Sequence, residues 1–128
     1  MDKSQYEAIA RQLFFASLEV HKIMGPGLLE SVYELCLLKE LSLRGLLAEC
    51  QIPIPLVFKG YELSKEYRID ILVEDKIILE LKAVESILPI HEAQMISYLK
   101  LANKKLGFLI NFNVPMLKDG FRRFVNNY

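Results

Sequence analysis

An α/β fold, a small mixed β-sheet flanked by helices in the order α-α-β-β-β-α-β with a short C-terminal strand, is what the sequence predicts. Three observations predict it. Apolar residues recur at spacings of three and four over residues 4–44, the period of helices. Over residues 51–84 the pattern becomes alternation and short apolar runs, the signature of strands. A helical segment then returns at residues 89–102, ahead of one more apolar run, LGFLINF.

The first helix is expected over residues 4–24, with Ile9, Leu13, Ala16, Val20 and Ile23 forming one apolar stripe. Gly25-Pro26-Gly27 ends it. A second helix runs over residues 28–44 with Gly45 as its C-terminal stop. If Gly27 is its N-cap, Glu30 falls at the third helical position, where a carboxylate reaches back to the cap. Tyr33 then shares the face of Glu30, near enough to hydrogen-bond it. Residues 51–58 alternate around Pro53 and Pro55, and a proline cannot donate to a central ladder, so an edge strand is expected there. Lys59-Gly60 makes a turn. Strands follow at 67–73 and 76–84, then the helix opened by Pro89, the buried strand 106–112, and a turn at Lys118-Asp119-Gly120 leading to a short last strand.

The chain has 128 residues, 52% of them apolar, enough for a compact core and a single domain spanning residues 1–128. No apolar run approaches the roughly 20 residues that span a bilayer. The N-terminal MDKSQYEAIARQ is too polar for a signal peptide, so a cytoplasmic protein with no membrane partner is expected. Cys36 and Cys50 lack CxxC spacing and read as buried thiols. Sixteen basic residues cancel sixteen acidic ones, so no overall field draws in a polyanion, and nucleic-acid binding would rest on local patches. The candidates are Lys104-Lys105 and Lys118 with Arg122-Arg123.

The hairpin concentrates the chemistry. A two-residue turn at Glu74-Asp75 would mix polar and apolar faces. A three-residue loop, Glu74 to Lys76, pairs Val73 with Ile77, Ile71 with Leu79 and Ile69 with Leu81 on one apolar face. The same register sets Asp70 across from Glu80 and Arg68 across from Lys82. Two carboxylates with β-carbons about 5 Å apart repel unless a positive charge lies between them. A divalent cation such as Mg²⁺ meets that need, with Lys82 holding a water or stabilising a phosphate. The plainer alternative is a half-solvated sheet face whose acids are neutralised by Lys82 and Arg68 as surface ion pairs. On the third helix His91, Gln94 and Tyr98 share a face, with Ile90 and Ala93 beginning another. That face either meets water or turns Gln94 toward the carboxylates.

Glu30, Asp70, Glu80-Leu81-Lys82 and Gln94, in this order, resemble the PD-(D/E)xK nuclease superfamily, whose restriction-endonuclease-like core has the same element order. More narrowly, Gly27-Leu-Leu-Glu30-Ser-Val-Tyr33 is similar to the signature of the GxxExxY proteins. YRIDILVEDKIILELKAVE, HEAQMISYLKL and LGFLINFNVPMLKDGFRR support the match, which covers nearly the whole chain from His21. The resemblance implies a metal-dependent nuclease using Mg²⁺, with Mn²⁺ as a substitute. Asp70, Glu80 and the Leu81 backbone carbonyl would be metal ligands and Lys82 the catalytic lysine. Glu30 and Gln94 would join the catalytic set, with Tyr33, His91 and Tyr98 supporting. Ile69 stands where the superfamily name has Pro. The implied partner is nucleic acid, with DNA expected. A non-catalytic protein-interaction module on the same fold is the alternative. A homodimer, formed through the proline-bearing strand and C-terminal aromatics, is compatible with either.

Overall fold

A computed structural model describes residues 1–63 and 67–128. Helix α1 (Lys3–Met24) begins at a capping box between Asp2 and Gln5 and buries Tyr6, Ala10, Leu13, Ala16, Ser17, Val20 and His21. The expected stripe stops short of Ile23, which is 71% exposed. In the last turn His21 takes the inward place instead, its Nε2 donating to the Val114 carbonyl at 2.8 Å. Helix α2 (Glu30–Leu43) buries Tyr33, Leu37 and Leu41. Gly45 ends it as expected, with φ 76°. The Gly45 N–H donates to the Ser42 carbonyl and the Leu46 N–H to the Leu41 carbonyl, each at 3.0 Å, which closes the last turn.

Five strands form the main sheet in the order β1-β4-β5-β6-β7. They are β1 (Ala48–Pro53), β4 (Arg68–Val73), β5 (Ile77–Lys82), β6 (Leu106–Asn111) and β7 (Phe121–Val125). Only β5 and β6 pair in parallel, and helix α3 (Pro89–Ala102) supplies the crossover that such a pair needs. The last strand follows a 3₁₀ turn, Leu117–Gly120.

The proline-bearing segment differs from expectation. In place of one edge strand over residues 51–58, β1 ends at Pro53, and β2 (Leu56–Phe58) pairs with β3 (Tyr61–Leu63) as a separate hairpin around Lys59-Gly60. Pro53 and Pro55 have no N–H to carry one ladder through. β1 does occupy the sheet edge. The β4–β5 register is the expected one, with Ile71 opposite Leu79, Leu72 opposite Ile78 and Val73 opposite Ile77.

Both faces of the sheet are covered. Ile71, Val73, Ile77, Leu79 and Leu81 pack with α1 and α2, and Leu72, Ile78 and Leu109 pack with Met95, Tyr98 and Leu99 of α3. Two expectations are corrected here. Ile69 belongs to the α3 side, apart from Ile71, so β4 changes face at Asp70. The apolar face of α3 is Met95, Tyr98 and Leu99, while Ile90 is 68% exposed and Tyr98 is 6% exposed. Nor are the cysteines both buried: Cys50 is exposed and Cys36 half-buried. The C-terminal aromatics are half-buried: Phe121 stacks on Phe108, and Tyr128 meets Tyr6 edge-on at 5.6 Å.

Candidate functional site

Asp70 and Glu80 sit where the β4–β5 ladder gives way. Backbone pairing reaches Ile71 and Leu79, and beyond it side chains take over the bonding. The Asp70 N–H donates to Glu80 Oε1 at 3.2 Å, and the Leu81 N–H donates to Asp70 Oδ2 at 2.8 Å. Each carboxylate is thus held by the backbone of the other strand.

Their surroundings are far from those of a solvated sheet face. Glu80 is 5% exposed, because α3 covers the face that could have met water. Burial, and then the charge of Asp70, push the Glu80 carboxyl up to about 9. Burial likewise raises Asp70, with the charge of Glu34 adding to it. Lys82, half-buried at the end of β5, opposes both shifts through its charge. Among the described residues no ion pair joins Lys82 or Arg68 to either acid, so the surface-pair alternative does not describe this site.

Irregular backbone opposite Asp70 shapes the site further. The β1–β4 ladder pairs Cys50 with Ile71 and Ile52 with Ile69 but skips Gln51 and Asp70. Gln51 has φ 54°, a left-handed conformation costly for a residue with a side chain. Its amide reaches across to Glu34 Oε1 at 3.0 Å. Glu34 therefore lies on the side of Asp70 that the ladder leaves open. Sequence reasoning missed it, although it stands one turn after Glu30 on the same helical face. Asn111 was missed as well. It is paired with Lys82 and only 2% exposed. Its side chain accepts from the Val84 N–H at 3.1 Å and donates to the Val84 carbonyl at 2.9 Å, fixing the chain just past Lys82.

The capping role foreseen for Glu30 is overturned. Helix α2 starts two residues later than expected, with Leu29 as N-cap, so Glu30 is the first helical residue and cannot reach back to Gly27. The cause is Tyr33. Its hydroxyl donates to the Gly25 carbonyl at 2.6 Å and accepts from the Leu28 N–H at 3.1 Å, holding the Gly-Pro-Gly turn open. Glu30 instead accepts from the Ala83 N–H at 3.3 Å, one residue beyond Lys82. It lies at the end of β5 in a recess with Leu28, Leu29, Ser31 and Ala83.

Tyr33 is accordingly no partner of Glu30. It is fully buried and stacked on Phe112 at 4.5 Å. Tyr33→Phe is expected to destabilise the fold by about 1–3 kcal/mol, because it strands a buried donor and acceptor, while leaving metal affinity unchanged. Thermal melts paired with calorimetric titration check this. Equal stability of the two proteins would remove Tyr33 from its turn-holding role.

The α3 residues come together beside the acids. Gln94 Nε2 donates to Tyr98 Oη at 2.9 Å, and burial followed by the charge of Glu80 raises the Tyr98 phenol. His91 accepts from the Leu88 N–H through Nδ1 at 3.0 Å, so it caps the helix while facing the same cavity as Gln94. Three of the five basic candidates are engaged in ion pairs. Arg122 pairs with Glu92, Arg123 with Glu7, and Lys104 with Asp75.

Among the described residues no group of three or more His, Cys, Asp or Glu side chains is gathered to hold a metal ion. The donor set is two hard carboxylates. That is sparse for zinc or calcium but fits Mg²⁺, which retains several waters and takes one or two carboxylates.

Comparison with known proteins places these residues in context. A family model described as the PD-(D/E)XK nuclease superfamily matches residues 7–124. No curated protein and no solved structure matches the chain. Among the described residues no helix is long and apolar enough to cross a membrane.

Proposed function

Because the chain belongs to the PD-(D/E)XK nuclease superfamily, we propose that it is a Mg²⁺-dependent phosphodiesterase cleaving nucleic acid, with DNA the expected substrate. The narrower GxxExxY reading rests on Gly27, Glu30 and Tyr33. The observation that carries the proposal is the buried Asp70 and Glu80 pair, cross-bonded to each other's strands beside Lys82. Two buried acids whose hold on a proton is strengthened by burial are poised to exchange protons for a divalent cation.

Asp70, Glu80 and the Leu81 carbonyl would hold the metal. When bound, it would supply Lewis acidity to the scissile phosphate and to a water. Lys82 is placed at the strand end to orient the attacking water or to balance charge on the phosphate. Glu34, held by the Gln51 amide, adds negative charge that strengthens the attraction of the site for a cation. Glu30 holds the Ala83 N–H and so steadies the backbone after Lys82. Gln94 and Tyr98 close the α3 side.

The test is cleavage of single-stranded, duplex and branched DNA and of RNA, with Mg²⁺ or Mn²⁺ and with chelator. Metal-dependent cutting that Asp70→Ala abolishes is the expected result. No cutting of any substrate by either protein sinks the proposal.

A second reading is a non-catalytic protein-binding module, favoured by the zero net charge and by the pairing of Arg122 and Arg123 with acids. Calorimetric titration separates the two. Mg²⁺ binding that is lost in Glu80→Gln supports the enzyme, and no binding to the native protein supports the module.

A further inference from the structure

Beside the acid pair, α3 and the start of β4 enclose a cavity of about 530 Å³ lined by Tyr67, Ile90, His91, Gln94, Ser97 and Tyr98. That size lies within the roughly 300–1,000 Å³ of cavities that take small organic groups. The Tyr67 and Tyr98 rings stand 5.8 Å apart between centroids, tilted by 59°. Tyr98 is buried, but Tyr67 is 46% exposed. The backbone of Tyr67 is nonetheless fixed, because its carbonyl accepts from the Ile54 N–H at 3.0 Å and Ile54 packs in the same cluster as Tyr98. A ring on an anchored backbone, leaning on Tyr98, therefore offers an open aromatic face at the cavity mouth.

The polar groups of the cavity are partly committed, which defines what remains. His91 Nδ1 accepts from the Leu88 N–H, so the ring proton is on Nε2, a donor. Gln94 donates its amide to Tyr98, leaving Oε1 as an acceptor. The Ser97 hydroxyl can do either. An aromatic face, an aliphatic wall from Ile90, and a donor beside acceptors match a flat heteroaromatic ring with a hydrogen-bonding edge.

We propose that this cavity receives one unpaired nucleobase of a polynucleotide, stacked on Tyr67 with its edge toward His91, Gln94 and Ser97. A paired base has both faces stacked and its edge occupied, so only a base swung out of the helix, or one in a single strand, can enter. The substrate class follows: strands with an unpaired nucleotide beside the phosphate that a metal ion on Asp70 and Glu80 would engage. The cutting part rests on the nuclease reading, but base binding does not.

The experiment uses the native protein in chelator, at low salt, with one oligonucleotide sequence carrying the fluorescent adenine analogue aminopurine. The analogue is presented in a single strand, as a one-nucleotide bulge, or fully paired. The expected result is about tenfold or greater preference for the unpaired forms, with the fluorescence quenched by stacking. Tyr67→Ala and Tyr67→Leu should each lose about tenfold affinity for the unpaired forms and none for the duplex, while Tyr67→Phe retains both. Tyr67→Leu keeps apolar bulk, so its loss reads the aromatic ring apart from folding.

Equal affinity for paired and unpaired forms overturns the proposal. So does unchanged binding in Tyr67→Leu, or a free mononucleotide that competes as well as the oligonucleotide. A protein that binds unpaired bases yet cuts nothing retires the nuclease reading and keeps this one. One that cuts paired and unpaired strands alike does the reverse.

Discussion

Lys82→Met is expected to lower the rate of metal-dependent cleavage by on the order of 10²–10³, the usual cost of removing one charge-stabilising group from a buried site. Methionine keeps most of the apolar stem, so the fold and the affinity for Mg²⁺ should survive. Lys82 is suited to this test because among the described residues it has no direct ion pair to lose, although its charge acts on both acids. The matching control is Lys76→Met. Lys76 belongs to the other Glu-x-Lys copy, Glu74-Asp75-Lys76, which forms the hairpin loop, and there Glu74 accepts from the Leu47 N–H at 2.7 Å. Single-turnover kinetics of the two variants decide the matter. Equal rates in both would show that Lys82 is not catalytic.

Glu80→Gln is expected to stabilise the metal-free protein at alkaline pH. The Glu80 carboxyl is ordinary in the unfolded chain, near 4.5, but is pushed up to about 9 in the fold. The folded state therefore holds a proton that the unfolded state releases. Stability is fully present below about 4.5 and declines as pH rises toward about 9. Asp70, also raised, pulls in the same direction. Each unit of pH in that window costs at most about 1.4 kcal/mol, so the decline between pH 5 and pH 8 reaches about a few kcal/mol.

Gln mimics the protonated acid and can still donate to Asp70, so its melting temperature should stay flat where that of the native protein falls. Mg²⁺ should oppose the decline in the native protein alone. Because binding displaces a proton, its affinity should rise by up to about tenfold per pH unit in the same window. Melts of both proteins at three pH values, with and without Mg²⁺, test this. A native melting temperature as flat with pH as that of the variant would contradict it.

Much of this site was legible because β-sheet geometry is periodic. The match of Ile71 with Leu79 and Val73 with Ile77 needed only hydrophobic alternation, and it carried Asp70 to Glu80 without further information. Gly45 as a helix stop, Pro89 at the head of α3 and the Lys59-Gly60 turn were legible because glycine admits a left-handed backbone that other residues resist and proline fixes its own. Ile69 was misassigned because alternation presumes an unbroken strand, and β4 changes face at Asp70, where the ladder to Gln51 is skipped. Glu34 escaped notice because nothing local distinguishes it from any helical glutamate, and its neighbour Gln51 arrives from another strand.

The sequence by itself determined the succession of helices and strands outside the proline-bearing segment, the hairpin register and the pairing of two carboxylates near a lysine, since these depend on spacing between near neighbours. Tertiary structure alone decided what those carboxylates are worth. Only the packing of α3 against the sheet buries Glu80 and raises its carboxyl far above the ordinary range. Only the tie from Tyr33 to Gly25 and Leu28 shifts the start of α2 and points Glu30 at β5. Burial and long-range hydrogen bonds depend on which segments meet in space, and no spacing along the chain encodes that directly.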